Sequence, residues 1–141
     1  MIRLANSDED ITRCMPVMQQ LRPHIPQADF LPRIRRQMQQ GYRLAMLERD
    51  SVVIALAGFR LNENLAWGRF LYVDDLITDE TRRSSGTGKA LLNWLADVAR
   101  KENCQQLHLD SGVQRLDTHR FYLREGMHIA GHHFTLPLAG Q

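Results

Sequence analysis

Apolar positions along the chain change period several times, and those changes divide it into elements. "IRLA" (2–5) has the composition of a short strand. "NSDED" follows, with Ser7 or Asp8 as the expected N-cap and further acids suited to the first turn of a helix. Ile11, Cys14, Met15, Met18 and Leu21 recur at helical spacing, and Pro16 among them predicts a kink or an early break. "RPHIPQ" (22–27) reads as a connection, and 28–40 as a second helix ended by Gly41.

The period then shortens. "YRLAMLER" (42–49), "VVIALAGFRL" (52–61) and "LAWGRFLYVDDLIT" (65–78) are strands, with hairpin connections at Asp50-Ser51 and Asn62-Glu63-Asn64. A glycine-rich turn leads into a helix from Gly86 to about Glu102, with Leu91, Leu92, Leu95, Val98 and Ala99 apolar. "QQLHLD" (105–110) is a strand, 114–125 a helix closed by Gly126, and "MHIAGHHFTLPL" (127–138) a last strand. The order β-α-α-β-β-β-α-β-α-β, with no repeat or linker, describes one α/β domain over residues 1–141.

Composition removes several classes of function. A hydrophobic content of 43% over 141 residues is ordinary for a globular chain. Lys plus Arg (18) exceeds Asp plus Glu (16) too slightly to argue for nucleic acid or a membrane surface. Arg33, Arg35 and Arg36 read as a solvated helix face. Cys14 and Cys104 form neither a disulfide framework nor a metal-ligand spacing, and suit buried free thiols in a reducing compartment. The N-terminus lacks the regions of a secretion signal, and no apolar run approaches the ~18 residues of a membrane span, so a cytoplasmic protein is expected.

Chemistry concentrates around "RRSSGTGKALL" (82–92). A triphosphate loop needs a hydroxyl after Gly-Lys to ligate magnesium, but Ala90 follows Lys89, and Arg83 stands where the first glycine belongs. A dinucleotide fingerprint needs a third glycine, where Leu91 stands. Read from Arg83 to Gly88, however, the segment suits a diphosphate. Gly86 and Gly88 let backbone N–H groups turn inward at a helix N-terminus, Arg83 and Lys89 add charge, and Ser84, Ser85 and Thr87 add hydroxyls.

Arg83-Ser84-Ser85-Gly86-Thr87-Gly88 resembles R/Q-x-x-G-x-G/A, the pyrophosphate loop of the GNAT superfamily of acetyl-CoA-dependent N-acetyltransferases. The order "LYVDDLIT", loop, "GKALLNWLADVARKENC", "QQLHLD" and "THRFYLREGM" is similar to that family's, with Phe121, Tyr122 and Gly126 in register. Where the family often carries Asn and Ala ahead of the tyrosine, this chain has Arg115 and Thr118, and Met127 replaces a phenylalanine.

The resemblance implies an α/β (α+β) GNAT fold: a mixed sheet of about six to seven strands, helices on both faces, and a splay between the fourth and fifth strands. It implies acetyl-CoA as co-substrate, no metal, and a small-molecule or peptide amine as acceptor. The pantetheine arm would lie against backbone groups of Leu76, Ile77 and Thr78, and the N–H of Leu76 or Ile77 would polarise the thioester. It also allows a homodimer through the C-terminal strand.

Acetyl transfer needs a neutral amine, yet an amine of pKa ~10.4 is neutral about once in ~2500 molecules at pH 7. A carboxylate that holds the ammonium and accepts its proton meets that need. "YVDDL" (72–76) resembles the "YLEDL" of small-amine acetyltransferases, which makes Asp74 the candidate base or ammonium anchor. Strand alternation would turn Asp75 to the other face for a structural contact; either acid is otherwise a salt-bridged strand residue. Glu63, in the neighbouring turn, is the reserve candidate. Tyr122 matches the family's tyrosine and would return a proton to the departing thiolate, with Phe121 in the core. His119, one helical turn before it, would line the acceptor cleft. His132 and His133 face opposite ways on a strand, which disfavours a metal site. A binding or sensor module that kept the coenzyme A loop without turnover is the alternative function.

Overall fold

The computed structural model describes residues 1–83 and 85–139. Contacts within the chain separate residues 1–109 from residues 110–141, and each unit is described by itself.

Residues 1–109 form one sheet in the order β1 (Ile2–Leu4), β2 (Arg43–Arg49), β3 (Val52–Asn64), β4 (Gly68–Thr78) and β5 (Gln106–Leu109). The first four strands are antiparallel and β5 joins β4 in parallel, so the sheet is mixed. Helices α1 (Asp8–Leu21) and α2 (Gln27–Met38) cover one face, packing Ile11, Cys14, Met18, Phe30 and Ile34 onto Leu44, Met46 and Leu56. Helix α3 (Thr87–Lys101) covers the other with Leu91, Leu95 and Ala99 on Ala57, Phe59, Leu71 and Val73. Alternate residues of β2 and β3 therefore feed opposite cores, as the pleat requires.

Local signals explain most boundaries. The Ser7 side chain accepts from the Asp10 N–H at the start of α1. Pro16 neither ends nor shortens this helix: it sits on the exposed side, where the carbonyl it leaves unbonded meets water. Gly41, at φ +95°, stops the chain after α2, and Asp50 and Ser51 both take positive φ in the β2–β3 turn.

The second hairpin departs from expectation. β3 runs on through Asn62 and Glu63 to Asn64, and the turn is 65–67. Asn64 Oδ1 accepts from the Trp67 N–H at 2.7 Å, and Gly68 supplies φ +70°. An asparagine bonding its own backbone ahead thus places the turn later than the Asn-Glu-Asn string suggests.

In residues 110–139 the helix α4 (Leu116–Arg124) is closed by Gly126 at φ +94°. The strand expected over 127–138 is not formed, so the described sheet has five strands instead of six to seven. The alternation of Phe134, Leu136 and Leu138 suits one face of a strand, but a strand also needs a neighbour's N–H and C=O groups in register, and these side chains are exposed.

Candidate functional site

The site begins with an irregularity in β4. Gly58 of β3 is paired with Asp75 and Phe59 with Val73, so Asp74 is an extra residue with no counterpart. This β-bulge breaks the alternation that would send neighbouring side chains to opposite faces. Val73 and Leu76 go to the α3 side, whereas Tyr72, Asp74 and Asp75 all line one cavity of about 410 Å³ on the α1–α2 side. The expectation that Asp74 and Asp75 face opposite ways is corrected here.

The two carboxylates differ in what holds them. Asp75 accepts from the Tyr42 hydroxyl at 2.8 Å and from Arg22 Nε at 3.0 Å, while Arg22 Nη2 also reaches the Asp74 carbonyl at 2.9 Å. Asp74 accepts through Oδ2 from Arg60 Nε at 2.9 Å, and Arg60 is tied in turn to Gln37. Asp74 Oδ1 is buried without a hydrogen-bond partner among the described residues. Burial pushes the Asp74 carboxyl above its ordinary range, the Arg60 guanidinium opposes this, and the Asp75 charge reinforces it. Tyr42 is pushed well up by burial and by Asp75, and stays a neutral donor.

Beside this cavity, β4 outruns β5. The parallel ladder ends with Leu109 opposite Val73, while β4 continues to Thr78 paired only with β3 on its other side. Leu76, Ile77 and Thr78 thus have a strand edge beyond the reach of β5, which is the splay.

After β4 the chain makes a short 3-10 turn at Glu80–Arg82 and enters α3 through Gly86 at φ +82°. A Cβ on Gly86 would meet nothing within 4 Å. The first α3 bond runs from the Ala90 N–H to the Gly86 carbonyl, so the Thr87, Gly88 and Lys89 N–H groups precede the helical ladder. No acid occupies that first turn, and Arg83 and Lys89 are exposed. This is a fitting cradle for a diphosphate. Two expected hydroxyl donors are committed elsewhere: Ser85 donates to the Arg82 carbonyl, and Thr87 is 2% exposed with its hydroxyl 2.9 Å from that of Thr78. Thr87 therefore fastens α3 to β4. Ser84 lies outside the described residues.

The remaining candidates separate. Glu63 is opposite Arg69, not in the turn beside Asp74, and lies roughly 17 Å along β4 from it at ~3.4 Å per residue. Tyr122 is half-buried on α4; burial pushes its hydroxyl up, and Arg115 pulls the other way. His119 donates from Nε2 to the Gly112 carbonyl at 2.8 Å, anchoring the chain ahead of its own helix. Among the described residues no three His, Cys, Asp or Glu side chains gather as a metal site, and no helix is long and apolar enough to cross a membrane. The arginine cluster is not one solvated face: Arg35 pairs with Asp8, Arg36 is exposed, and Arg33 lines the cavity.

Comparison with known proteins decides the family. The acetyltransferase (GNAT) family model matches residues 8–127. The chain belongs to the GNAT family. As a member of it the protein is an acyltransferase, and its relatives carry that name. It is 34% identical over 134 residues to the uncharacterized N-acetyltransferase YhdJ of Bacillus subtilis, covering 94% of each chain. It is 30% identical over 98 residues to the aminoalkylphosphonate N-acetyltransferase of Salmonella typhimurium, covering 69% of this chain and 62% of that protein. In fold it resembles the acetyltransferase AAC(6')-Iy solved with a CoA bisubstrate analogue, at TM-score 0.87 and 14% identity over 98% of this chain and 97% of that one.

Tyr42, Arg22, Arg60 and Gly58 were not anticipated as parts of the site. One signal was present: a lone glycine inside the strand pattern "IALAGFRL" marks a bulge or a close approach, and Gly58 has both.

Proposed function

We propose that the protein moves the acetyl group of acetyl-CoA to a primary amine by direct attack in a ternary complex. The observation that carries this reading is Asp74 itself, which lines a cavity beside the open edge of β4 and whose buried Oδ1 has no hydrogen-bond partner among the described residues. A carboxylate held above its ordinary range is a stronger base than a solvated one. Asp74 takes the acceptor ammonium and its proton; the neutral nitrogen attacks the thioester carbonyl, and the carbon–sulfur bond breaks. The Leu76 or Ile77 N–H polarises that carbonyl, and Gly86, Gly88, Arg83 and Lys89 hold the diphosphate. Tyr122 returns a proton to the thiolate. Its raised pKa keeps it protonated at neutral pH but makes the transfer more uphill, which the nearby Arg115 opposes only in part.

The acceptor is a small amine, in keeping with the cavity volume and with the named substrate of the Salmonella relative. Thiol release from acetyl-CoA, measured across a panel of amines, tests the reading. Absence of release with every amine, together with no rise in melting temperature on adding acetyl-CoA, overturns it.

A further inference from the structure

We infer that the acceptor is a small amine that also carries an oxyanion, a carboxylate or phosphonate a few bonds from the nitrogen. This rests on the acetyltransferase reading and deepens it. The charges around the cavity lead to it. Two carboxylates face the cavity, which by itself suggests a site for a polycation, yet both are already countered. Asp75 has each oxygen occupied, by Arg22 and by Tyr42. Asp74 has one oxygen on Arg60, and only Oδ1 remains for an incoming N–H. The floor therefore offers one acceptor position for one ammonium.

One cation on the cavity lining is uncommitted. Arg33, on α2, lines the same cavity, is half-buried, and makes no ion pair or hydrogen bond with the described residues. Arg22 and Arg33 line the cavity and Arg60 binds Asp74 from β3, so three guanidinium charges stand against two carboxylates. A monoamine entering as its cation adds to that excess, and a diamine adds twice. An amine with an oxyanion completes it, placing the ammonium on Asp74 and the anion on the Arg33 fork, whose donors match carboxylate and phosphonate geometry. A cavity of about 410 Å³ has room for such a molecule and lies at the small end of ligand sites.

The experiment compares 2-aminoethylphosphonate, 3-aminopropanoate, propylamine and 1,3-diaminopropane by thiol release. The expected kcat/KM for at least one oxyanion-bearing amine exceeds that for propylamine by about tenfold or more, with the diamine lowest. Arg33→Glu, or Arg33→Gln should the former melt early, reduces that ratio by about tenfold. Arg36→Glu makes the same charge change at an exposed position of α2 and keeps the ratio within about twofold. Equal or better use of propylamine or the diamine overturns the inference, as does a ratio that survives both Arg33 variants. If none of the four releases thiol, the wider amine panel and the acetyl-CoA melting shift decide acetyl transfer, and calorimetric titration of the same four compounds into CoA-loaded protein decides the inference separately. Binding of an oxyanion amine that weakens in Arg33→Gln upholds it, and no such binding overturns it.

Discussion

The Tyr42 hydroxyl donates to Asp75 at 2.8 Å directly over Gly58, where a Cβ would strike the phenol and stand 2.7 Å from Asp75 Oδ2. A strand glycine, a tyrosine after α2 and a carboxylate past a bulge thus occupy one another's space. Tyr42→Phe removes a hydrogen bond to a charged group and should cost about 1.5–3 kcal/mol by denaturant unfolding. The acceptor KM should rise as well, since Asp75 then keeps only Arg22 on its side of the cavity. An unchanged unfolding midpoint would show that this bond contributes nothing.

Gly58→Ala tests the same contact from below. The added methyl cannot be accommodated without moving Tyr42, so a loss of about 1–3 kcal/mol is expected. Combined with Tyr42→Phe, the loss should be smaller than the sum of the two, because the phenol oxygen is the atom most closely met.

Asp74→Asn separates activity from stability. Turnover should fall about 10²-fold or more, as expected on losing a positioned base. Stability should move the other way at neutral pH. The native carboxyl lies above its ordinary value, so the folded state holds the proton more tightly than the unfolded chain, and ionisation costs native stability. That cost is complete above the native pKa and disappears as pH falls below the ordinary 3.8. The variant should therefore melt above wild type at pH 7 and lose that advantage near pH 4, which thermal unfolding at the two pH values will decide.

Tyr122→Phe should lower kcat by about 10²-fold while leaving acetyl-CoA affinity within about twofold. Full turnover in this variant would remove the hydroxyl from the proton step.

Gly86→Ala isolates the diphosphate cradle. The added methyl meets no atom of the described residues, so the expected cost is that of the left-handed backbone, about 1–2 kcal/mol. Acetyl-CoA binding should weaken by more than tenfold (beyond about 1.4 kcal/mol), since the methyl enters the space the diphosphate would fill. Calorimetry showing unchanged affinity would place the diphosphate elsewhere.

Most elements were legible because their causes are local. Ser7 as a cap, Gly41 and Gly126 as helix stops, and Gly86 at the mouth of α3 each answer a backbone demand within a few residues. The loop from Arg83 to Gly88 was legible for the same reason: anion binding at a helix N-terminus is short-range chemistry. The Asn64 turn was misplaced because the string Asn62-Glu63-Asn64 offers two asparagines, and only the cross-strand register chooses between them. The alternation over 127–138 predicts a strand that does not form, because alternation describes a face and says nothing of a neighbour.

By itself, then, the sequence determined the order of elements as far as α4, the glycine-rich turn that opens α3 and the presence of a carboxylate pair on β4. Tertiary structure alone decided what holds that pair. A bulge cannot be read from one strand, because it is a mismatch between two, and it turned Asp74 and Asp75 to the same side. Arg22, Arg60 and Tyr42 reach the carboxylates across 53, 14 and 33 residues of chain. Arg22 and Tyr42 are brought to the carboxylates only by the packing of α1 and α2 on the sheet and Arg60 only by the pairing of β3 with β4, and together their hydrogen bonds leave Asp74 Oδ1 without a partner among the described residues.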